Sequence, residues 1–485
     1  MDRMLSLRYY IDTELQEEAF GALFDFIMKY YLYRNPQYYK DIRRTRVGDV
    51  EVLEFTAIPR HKKWSMEVEV RGVKPLEVRM RPSNRLVPMT VINRIRTHLL
   101  MGVITFEESV ARGRTYFAWV GRGKAIDERE LSRGKKMIYA LFTGNMMLSY
   151  LTFILASSLF LPVFKFYIPI AFLLFQFVLM ILSHRILILS GDWIVDQENS
   201  TVHILKFHIP TRVLMEIPAE IGIRSLMEIR EEIYRRTLKV GRSIDRQTAL
   251  EVFSMYGIDV VPEETEAKAV NIYELTKSAV ERFHLPMPRL AVVNTVVPNA
   301  LSAGPSPRLG TILISTGLLA RLDEDELLGI LGHELSHLKN RDSLVLFIFS
   351  SIAYLLQLRL FPLLLWFFWF TFFPYLYIYL FMALIMGGVY FVSKILEARC
   401  DLESAIYVGK PDALARALKK LGFQKFRFEK ISGIKIQDWF RLEPHPPISF
   451  RISRLEALES PGKIRSPLIQ SMRDCLSGFF SSLRI

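Results

Sequence analysis

The stretch His333-Glu334-Leu335-Ser336-His337 decides the fold of the domain around it, because it is an HExxH motif. Residues four apart on an α-helix lie on one face, so the two histidines can bind one zinc ion. The glutamate between them can act as general base on a water molecule at that ion. Leucines recur on the opposite face and predict a helix over 325–338 with that face buried. A chance match is the alternative, and the segments that follow in the chain favour the metal site.

The composition is typical of a membrane protein. The chain has 485 residues, of which 51% are hydrophobic, including 34 Phe and 20 Tyr. Its two cysteines exclude a disulfide framework and a cysteine-based zinc ribbon. The formal charge of +13 suits either nucleic acid or an anionic membrane surface. Because long apolar runs are present and the sequence contains no nucleic-acid-binding motif, we expect a lipid bilayer as partner and no nucleic acid.

Four apolar runs predict two transmembrane hairpins. Met137–Phe160 is uncharged and Ile170–Leu189 carries a single charge near its end, which together predict a hairpin over 137–189. The stretch 343–392 is long enough for two further spans and predicts a second hairpin. Lysines and arginines precede and follow each hairpin, so the positive-inside rule places both termini and the HExxH segment in the cytoplasm. We therefore expect a multi-pass protein of the cell membrane.

The regions outside the hairpins mix helical and strand patterns. Residues 1–136 predict a soluble cytoplasmic α+β domain whose role the sequence does not indicate. Residues 190–262 predict an inserted cytoplasmic region that begins with a β-hairpin. The elements predicted in these regions and up to the HExxH helix are helices at Glu14–Tyr31, Pro88–Leu100, Arg224–Arg236, Asp245–Tyr256 and Glu264–His284, strands at Val50–Ile58, Trp64–Val70, Leu76–Met80, Leu290–Asn294 and Thr311–Ser315, and the hairpin strands Trp193–Asp196 and Val202–Phe207.

A third metal ligand is expected beyond the second hairpin. A catalytic zinc ion needs three protein ligands and one open position, and histidine is scarce in this chain, so a carboxylate is expected. Glu397 and Asp401 lie four residues apart on the expected extension of the last transmembrane helix. The alternative is that both are solvated acids at the membrane surface.

These motifs together resemble the HtpX-type membrane zinc metalloproteases, which share a superfamily with the CAAX prenyl proteases. The resemblance covers roughly residues 138–460, and the arrangement of apolar runs around the motif also fits the HtpX type. It rests on four motifs in the expected order, namely Pro298-Asn299-Ala300-Leu301-Ser302-Ala303-Gly304, the HExxH motif with Asn340 and Asp342, Glu397 with Asp401, and His445-Pro446 with Arg451.

The resemblance implies one Zn²⁺ ion per chain, bound by His333, His337 and Glu397, with Glu334 as catalytic base. It implies that Asp401 orients one of the metal ligands.

Three further residues are implied around the substrate. His445 would hold the substrate or stabilise the oxyanion, and Asn299 would lie on the edge strand that takes up a substrate peptide. Arg451 is also expected to bind the substrate. Ser336, Lys394 and Cys400 stand where the family usually has Gly, Arg and Ala, and none of these departures removes a ligand.

The fold class implied is α+β with transmembrane helices. A zincin-like, mostly helical metalloprotease domain in two parts, 263–342 and 393–460, would stand on four transmembrane helices, with the N-terminal α+β domain in addition. The tail 461–485 has apolar residues at helical spacing and predicts a helix that either lies on the membrane surface or packs on this domain.

The expected function is that of an integral membrane zinc endopeptidase that cleaves membrane-protein or peptide substrates on the cytoplasmic side, in protein quality control. One alternative is the processing of a specific lipidated or tailed partner. An alternative of another class is a non-enzymatic membrane adaptor with a degenerate metal site, which the complete set of site residues disfavours. The sequence does not indicate an oligomeric state.

Overall fold

The computed structural model describes residues 7–120 with short gaps, 167–210, 219–368, 374–422, 435–440 and 443–483. The first predicted apolar run, Met137–Phe160, lies outside these residues. The described residues from Leu7 to Thr115 form one compact unit, and most of those from Tyr116 onward form a second.

The first unit is an antiparallel sheet with helices packed on one face. Its strands lie in the order β1-β5-β4-β3-β2. Alternation of apolar and charged residues along the strands buries one face, as in β4, where Met66, Val68 and Val70 are buried. Their bounds are β1 (Leu7–Ile11), β2 (Tyr39–Val47), β3 (Val50–Ala57), β4 (Met66–Arg71) and β5 (Leu76–Pro82), and helix α1 spans Phe20–Ile27 and continues as a π-helix over Met28–Leu32.

The α+β character predicted for this unit is confirmed, but strands β1 and β2 were missed. Strand β2 is an edge strand rich in arginine, so it lacks the apolar alternation that marks a half-buried strand. Its Arg43 and Arg44 instead pair with Glu54 and Glu51 of the neighbouring β3. Cross-strand ion pairs therefore contribute to holding β2 against β3, and the sequence of β2 has no apolar alternation by which it could be predicted.

The second unit contains two sheets, in the orders β6-β8-β9 and β11-β12-β10-β7. The predicted hairpin between the strands near Trp193 and Val202 is wrong, because β7 pairs with β10 whereas β8 pairs with β9. The Asp196 carboxylate accepts hydrogen bonds from the backbone of the next turn, which leads the chain from one sheet into the other. The strands are β6 (Arg114–Val120), β7 (Trp193–Val195), β8 (Thr201–His208), β9 (Glu266–Asn271), β10 (Arg289–Val293), β11 (Ala300–Ala303) and β12 (Thr311–Ser315).

The helix predicted over Glu264–His284 is correct only in its second half. Residues Glu266–Asn271 form β9, because they pair with β8, and the helix begins after Asn271. The Asn271 side chain accepts a hydrogen bond from the backbone N–H of Glu274 and caps that helix. The soluble helices that precede the HExxH segment are α3 (Ala219–Arg236), α4 (Arg246–Met255), α5 (Ile272–Phe283) and α6 (Thr316–Arg321).

Three of the described helices are long and apolar enough to cross a membrane. The candidate spans are Ile170–Ser190, Asp342–Leu364 and Leu380–Val408. They correspond to the last three of the four predicted runs, and the last extends past the apolar run into the charged stretch that contains Glu397. Two of them pack together through the rings of Phe172 and Tyr354. These helices are α2 (Tyr167–Ser190), α8 (Asp342–Phe368) and α9 (Pro374–Val408), so Pro362 lies inside a helix and Pro374 begins one.

The remaining helices surround the HExxH segment. Helix α7 (Glu324–Lys339) carries the motif. The C-terminal helices are α10 (Pro411–Leu421), α11 (Lys435–Phe440), α12 (Ile448–Glu456) and α13 (Pro467–Ser482). Helix α13 packs on α9 through Cys475 and Phe479, as one of the two alternatives for the tail predicted.

Candidate metal centre

Helix α7 brings the two histidines of the motif together. Asp323 and Glu326 form a capping box at its start, and this fixes where the helix begins. The Nε2 atoms of His333 and His337 lie 3.3 Å apart. Both rings therefore face one point beside the helix.

Helix α9 passes close to α7 at this point because Gly332 has no side chain. A Cβ atom at Gly332 would lie 2.6 Å from Val408 Cγ2 and 2.7 Å from Ser404 Oγ of α9. The hydroxyl of Ser404 also donates a hydrogen bond to the carbonyl of Gly329, at 2.7 Å. The close crossing places the carboxylates of α9 against the histidines of α7.

Glu397 of α9 completes a group of three possible metal ligands. Its Oε2 lies 3.3 Å from Nε2 of His333, and its Oε1 lies 3.4 Å from Nε2 of His337. A tetrahedral ion with bonds of about 2.0–2.1 Å to its ligands separates neighbouring ligand atoms by roughly 3.3 Å. Each Nε2 atom thus lies at about this distance from one of the two oxygens of Glu397, and the three residues have the chemistry to hold one metal ion.

A carboxylate and an arginine support His333 from behind. Its Nδ1 lies 3.0 Å from Oδ1 of Asp401, and the guanidinium of Arg451 donates to both oxygens of that carboxylate, at 2.7 and 2.6 Å. Burial opposes a charge on His333, but the neighbouring carboxylates of Asp401 and Glu397 outweigh it and raise the pKa of the ring to about 10. The same negative environment would attract a metal cation.

His337 has a matching support from other residues. Its Nδ1 lies 2.7 Å from Oδ2 of Asp342, and Nη2 of Arg399 lies 2.5 Å from the same oxygen. In both histidines the Nδ1 atom contacts a carboxylate, so the Nε2 atom is left to face Glu397. In metal sites, a carboxylate that contacts the ring nitrogen facing away from the metal fixes the tautomer of a histidine ligand.

Cys400 and Asp342 also lie beside His337, but they do not form a second cation site. The sulfur of Cys400 is 3.3 Å from Nδ1 of His337. Nη2 of Arg399 donates to both Cys400 and Asp342, so a fixed positive charge already occupies this side of the ring. A cation there would be repelled by the guanidinium.

The Ser336 hydroxyl, at a position where the family usually has glycine, has a specific acceptor. Ser336 Oγ and Asn340 Nδ2 each donate to Oε2 of the buried Glu403, at 2.8 Å. Glu334 is 7% exposed and lies on the same helix between the two histidines. Its role as base stays a prediction.

The remaining predicted site residues lie at different distances from the histidines. His445 is close, because its Nδ1 lies 2.7 Å from Oε2 of Glu397, and its side chain is half exposed. Asn299 directly precedes β11, and its backbone exchanges hydrogen bonds with Ser315. The described contacts of Arg451 join it to Asp401. Substrate roles for Asn299 and Arg451 stay predictions.

Sequence reasoning missed the supporting roles of Asp342, Arg399 and Glu403. Asp342 contributes to the sequence-based interpretation only as part of a motif, and Arg399 is only one of the positive charges that follow the second hairpin. A usable signal was present, since Asp342 directly precedes the apolar run 343–392 and an unpartnered charge at the edge of such a run is costly.

Comparison with known proteins gives a consistent result. Residues 266–459 match the family described as Peptidase family M48. A "Protease HtpX homolog" of Thermodesulfovibrio yellowstonii is 30% identical over 242 residues, which cover 43% of this chain and 80% of the relative. The protein of the same name from Pyrococcus furiosus is 30% identical over 231 residues, which cover 43% of this chain and 78% of the relative. That of Paenarthrobacter aurescens is 31% identical over 223 residues, which cover 40% of this chain and 74% of the relative.

The chain belongs to peptidase family M48, whose members are zinc-dependent metalloproteases. Its relatives are HtpX proteases, and with three apolar helices it is a membrane metalloprotease of the HtpX type. The resemblance drawn from the four motifs is therefore confirmed.

Proposed function

We propose that the protein is an integral membrane zinc endopeptidase in which His333, His337 and Glu397 hold one zinc ion. The observation that carries this proposal is the spacing of 3.3–3.4 Å between their donor atoms, with each ring supported by a buried carboxylate. Two imidazoles and one carboxylate are a ligand set that catalytic zinc sites use, with a fourth position open.

The side chains around this ligand set have different roles in peptide hydrolysis. A bound zinc ion supplies a Lewis acid for a water molecule and for the scissile carbonyl. Glu334 accepts the proton of the attacking water and returns it to the leaving amine. His445, next to Glu397 and half exposed, donates a hydrogen bond to the oxygen that becomes negative. Asp401 and Asp342 hold the two histidines in one tautomer.

The cut is expected close to the cytoplasmic surface of the membrane. Glu397 lies just beyond the predicted end of the last apolar run, and His337 lies shortly before the start of the third. The positive-inside rule gives the cytoplasmic orientation. Four transmembrane helices, a zincin-like layout and the domain boundaries at 136, 189, 262, 342, 392 and 460 belong to the same proposal. Cuts within the hydrocarbon core are not expected, because an extended backbone is costly to expose there.

The substrates proposed are membrane proteins or peptides, in protein quality control. Processing of one lipidated or tailed partner is the second candidate function, and it would be favoured by a large intramembrane chamber, for which four apolar runs are too few in one chain.

A proteolysis assay separates the enzyme from a metal-binding adaptor. Purified full-length protein is incubated with an unfolded membrane-protein substrate, with and without a zinc chelator. We expect fragments only without chelator, and activity should return when zinc is added back. Zinc bound tightly with no cleavage of any substrate would contradict the proposal and favour the adaptor.

A further inference from the structure

We propose that this site cleaves membrane proteins in segments that follow a membrane span. The N-terminal end of the bound segment is then the end that is anchored in the bilayer. This inference rests on the proposed function, because it takes the site to be a protease that receives an extended substrate.

Strand β11 is the edge at which an extended substrate would bind. It is the last strand of its sheet and pairs only with β12 among the described strands. It packs on the helix that carries the histidines, since Ala300 lines a small apolar cavity together with Leu327 and Leu331. A peptide that adds to this edge by main-chain hydrogen bonds therefore runs beside the metal centre.

The apolar helix α2 gives the direction of the bilayer, because its last turns lie on the face of this sheet. The hydroxyl of Thr311, at the start of β12, donates to the carbonyl of His184 at 3.0 Å. Gly191, beyond the end of α2, lies against Ala291 and Leu313 of the sheet. Strand β12 thus begins beside the deeper part of α2 and runs in the direction in which α2 leaves the apolar region.

Strand β11 runs the opposite way. It is antiparallel to β12, with Ala303 opposite Thr311 and Ala300 opposite Ile314. Its C-terminal end therefore points toward the bilayer and its N-terminal end points away from it. The residue predicted at the substrate strand, Asn299, stands at the end far from the bilayer.

An antiparallel partner is the more stable addition to an edge strand. A substrate that binds β11 in this way runs from the bilayer outward in its N-to-C direction. A segment that follows a membrane span meets this requirement directly, because the span stays in the bilayer while the chain extends along the edge. A segment that precedes a span would have to double back, or pair in the parallel sense.

Two reporter substrates of opposite polarity test the proposal. Both carry the same unfolded segment and the same single span, with the segment after the span in one and before it in the other. Each is mixed with the purified full-length enzyme and zinc in lipid bicelles, where both faces of the bilayer are accessible. A water-soluble peptide of the same segment is the reference, and the Glu334→Gln variant is the blank.

We expect the reporter with the segment after the span to be cut at least about tenfold faster, which corresponds to the loss of one or two ordinary backbone hydrogen bonds in the other. Equal rates, the reverse preference, or cleavage of the soluble peptide alone would overturn the polarity and leave the protease assignment standing. If none of the three were cut, the proposed function itself would be wrong, and the polarity with it.

Discussion

A hydrogen bond of 2.7 Å joins Nδ1 of His337 to the carboxylate of Asp342, the first residue of the apolar helix α8. The same carboxylate oxygen lies 2.5 Å from Nη2 of Arg399 on α9. Arg399 lies seven residues beyond the end of the apolar stretch 343–392. One ligand of the candidate metal centre is thereby tied to both helices of the second hairpin. His333 has a similar pair of neighbours in Asp401 and Arg451, with its Nδ1 atom 3.0 Å from Oδ1 of Asp401. The site is held by two carboxylate–arginine pairs, one for each histidine.

We expect Asp342→Asn to weaken zinc binding about 10–100-fold, because an amide does not hold the proton on Nδ1 of His337 as a carboxylate does. Zinc affinity is measured by competition with a fluorescent chelator. Asp325→Asn is the matched control, since Asp325 lies on the same α7 but is exposed and contacts only the exposed Lys410 among its described partners. An unchanged affinity in Asp342→Asn would contradict the supporting role.

We expect Glu334→Gln to abolish turnover while zinc stays bound, because the base is lost and no ligand is removed. The rate of substrate cleavage should fall by at least about 10²-fold, as is typical when a positioned proton acceptor is lost. Metal content by atomic spectroscopy and peptide release are measured on the same preparation. Glu324→Gln, at an exposed position in the first turn of α7, should behave as the parent. Parental activity in Glu334→Gln would show that another group is the base.

We expect His445→Ala to lose activity and keep its zinc, which would separate catalysis from metal binding. Loss of one donor to the oxyanion lowers kcat by about 10²–10³-fold, whereas zinc should remain. Glu397→Ala should lose zinc and activity together. The control is His284→Asn, because His284 is exposed and has a positive φ of 53° that asparagine tolerates. If His445→Ala lost its zinc, His445 would belong to the structure of the centre and not to the chemistry.

Gly332→Ala should destabilise the protein by about 1–3 kcal/mol, because the added methyl group would push α9 away from α7. Its Cβ would lie 2.6 Å from Val408 Cγ2. Thermal unfolding in detergent, with zinc content as a second reading, is the measurement. Gly388→Ala is the control, since no atom of the described residues outside its own stretch of helix lies within 4 Å of a Cβ there. Equal melting temperatures for the two variants would show that the crossing can relax.

The transmembrane arrangement predicts that Lys165→Cys and Arg359→Cys react only with a thiol reagent added outside the cell. Lys463→Cys, at an exposed position after α12, should react only after the membrane is permeabilised. The two native cysteines give a low background, because both are buried, and burial raises the pKa of the Cys475 thiol to about 12. Labelling of either of the first two positions from the cytoplasmic side would refute the topology.

The sequence by itself determined the local features of this protein. The pairing of His333 with His337 follows from the helical repeat, and the start of α7 follows from Asp323 and Glu326, which lie three residues apart. The apolar helices follow from length and composition alone. In each case the interacting groups are close together in the chain, so the pattern contains the information.

Only the tertiary structure decided which distant groups meet. Strand β9 was predicted as helix because its pairing with β8 cannot be read from its own residues, and β7 and β8 join different sheets for the same reason. Asp342 and Arg399 lie 57 residues apart in the chain and meet because α8 and α9 pack as a hairpin. A hydrogen bond between distant residues depends on the packing of whole helices. The sequence around either residue therefore does not indicate which residue its partner is.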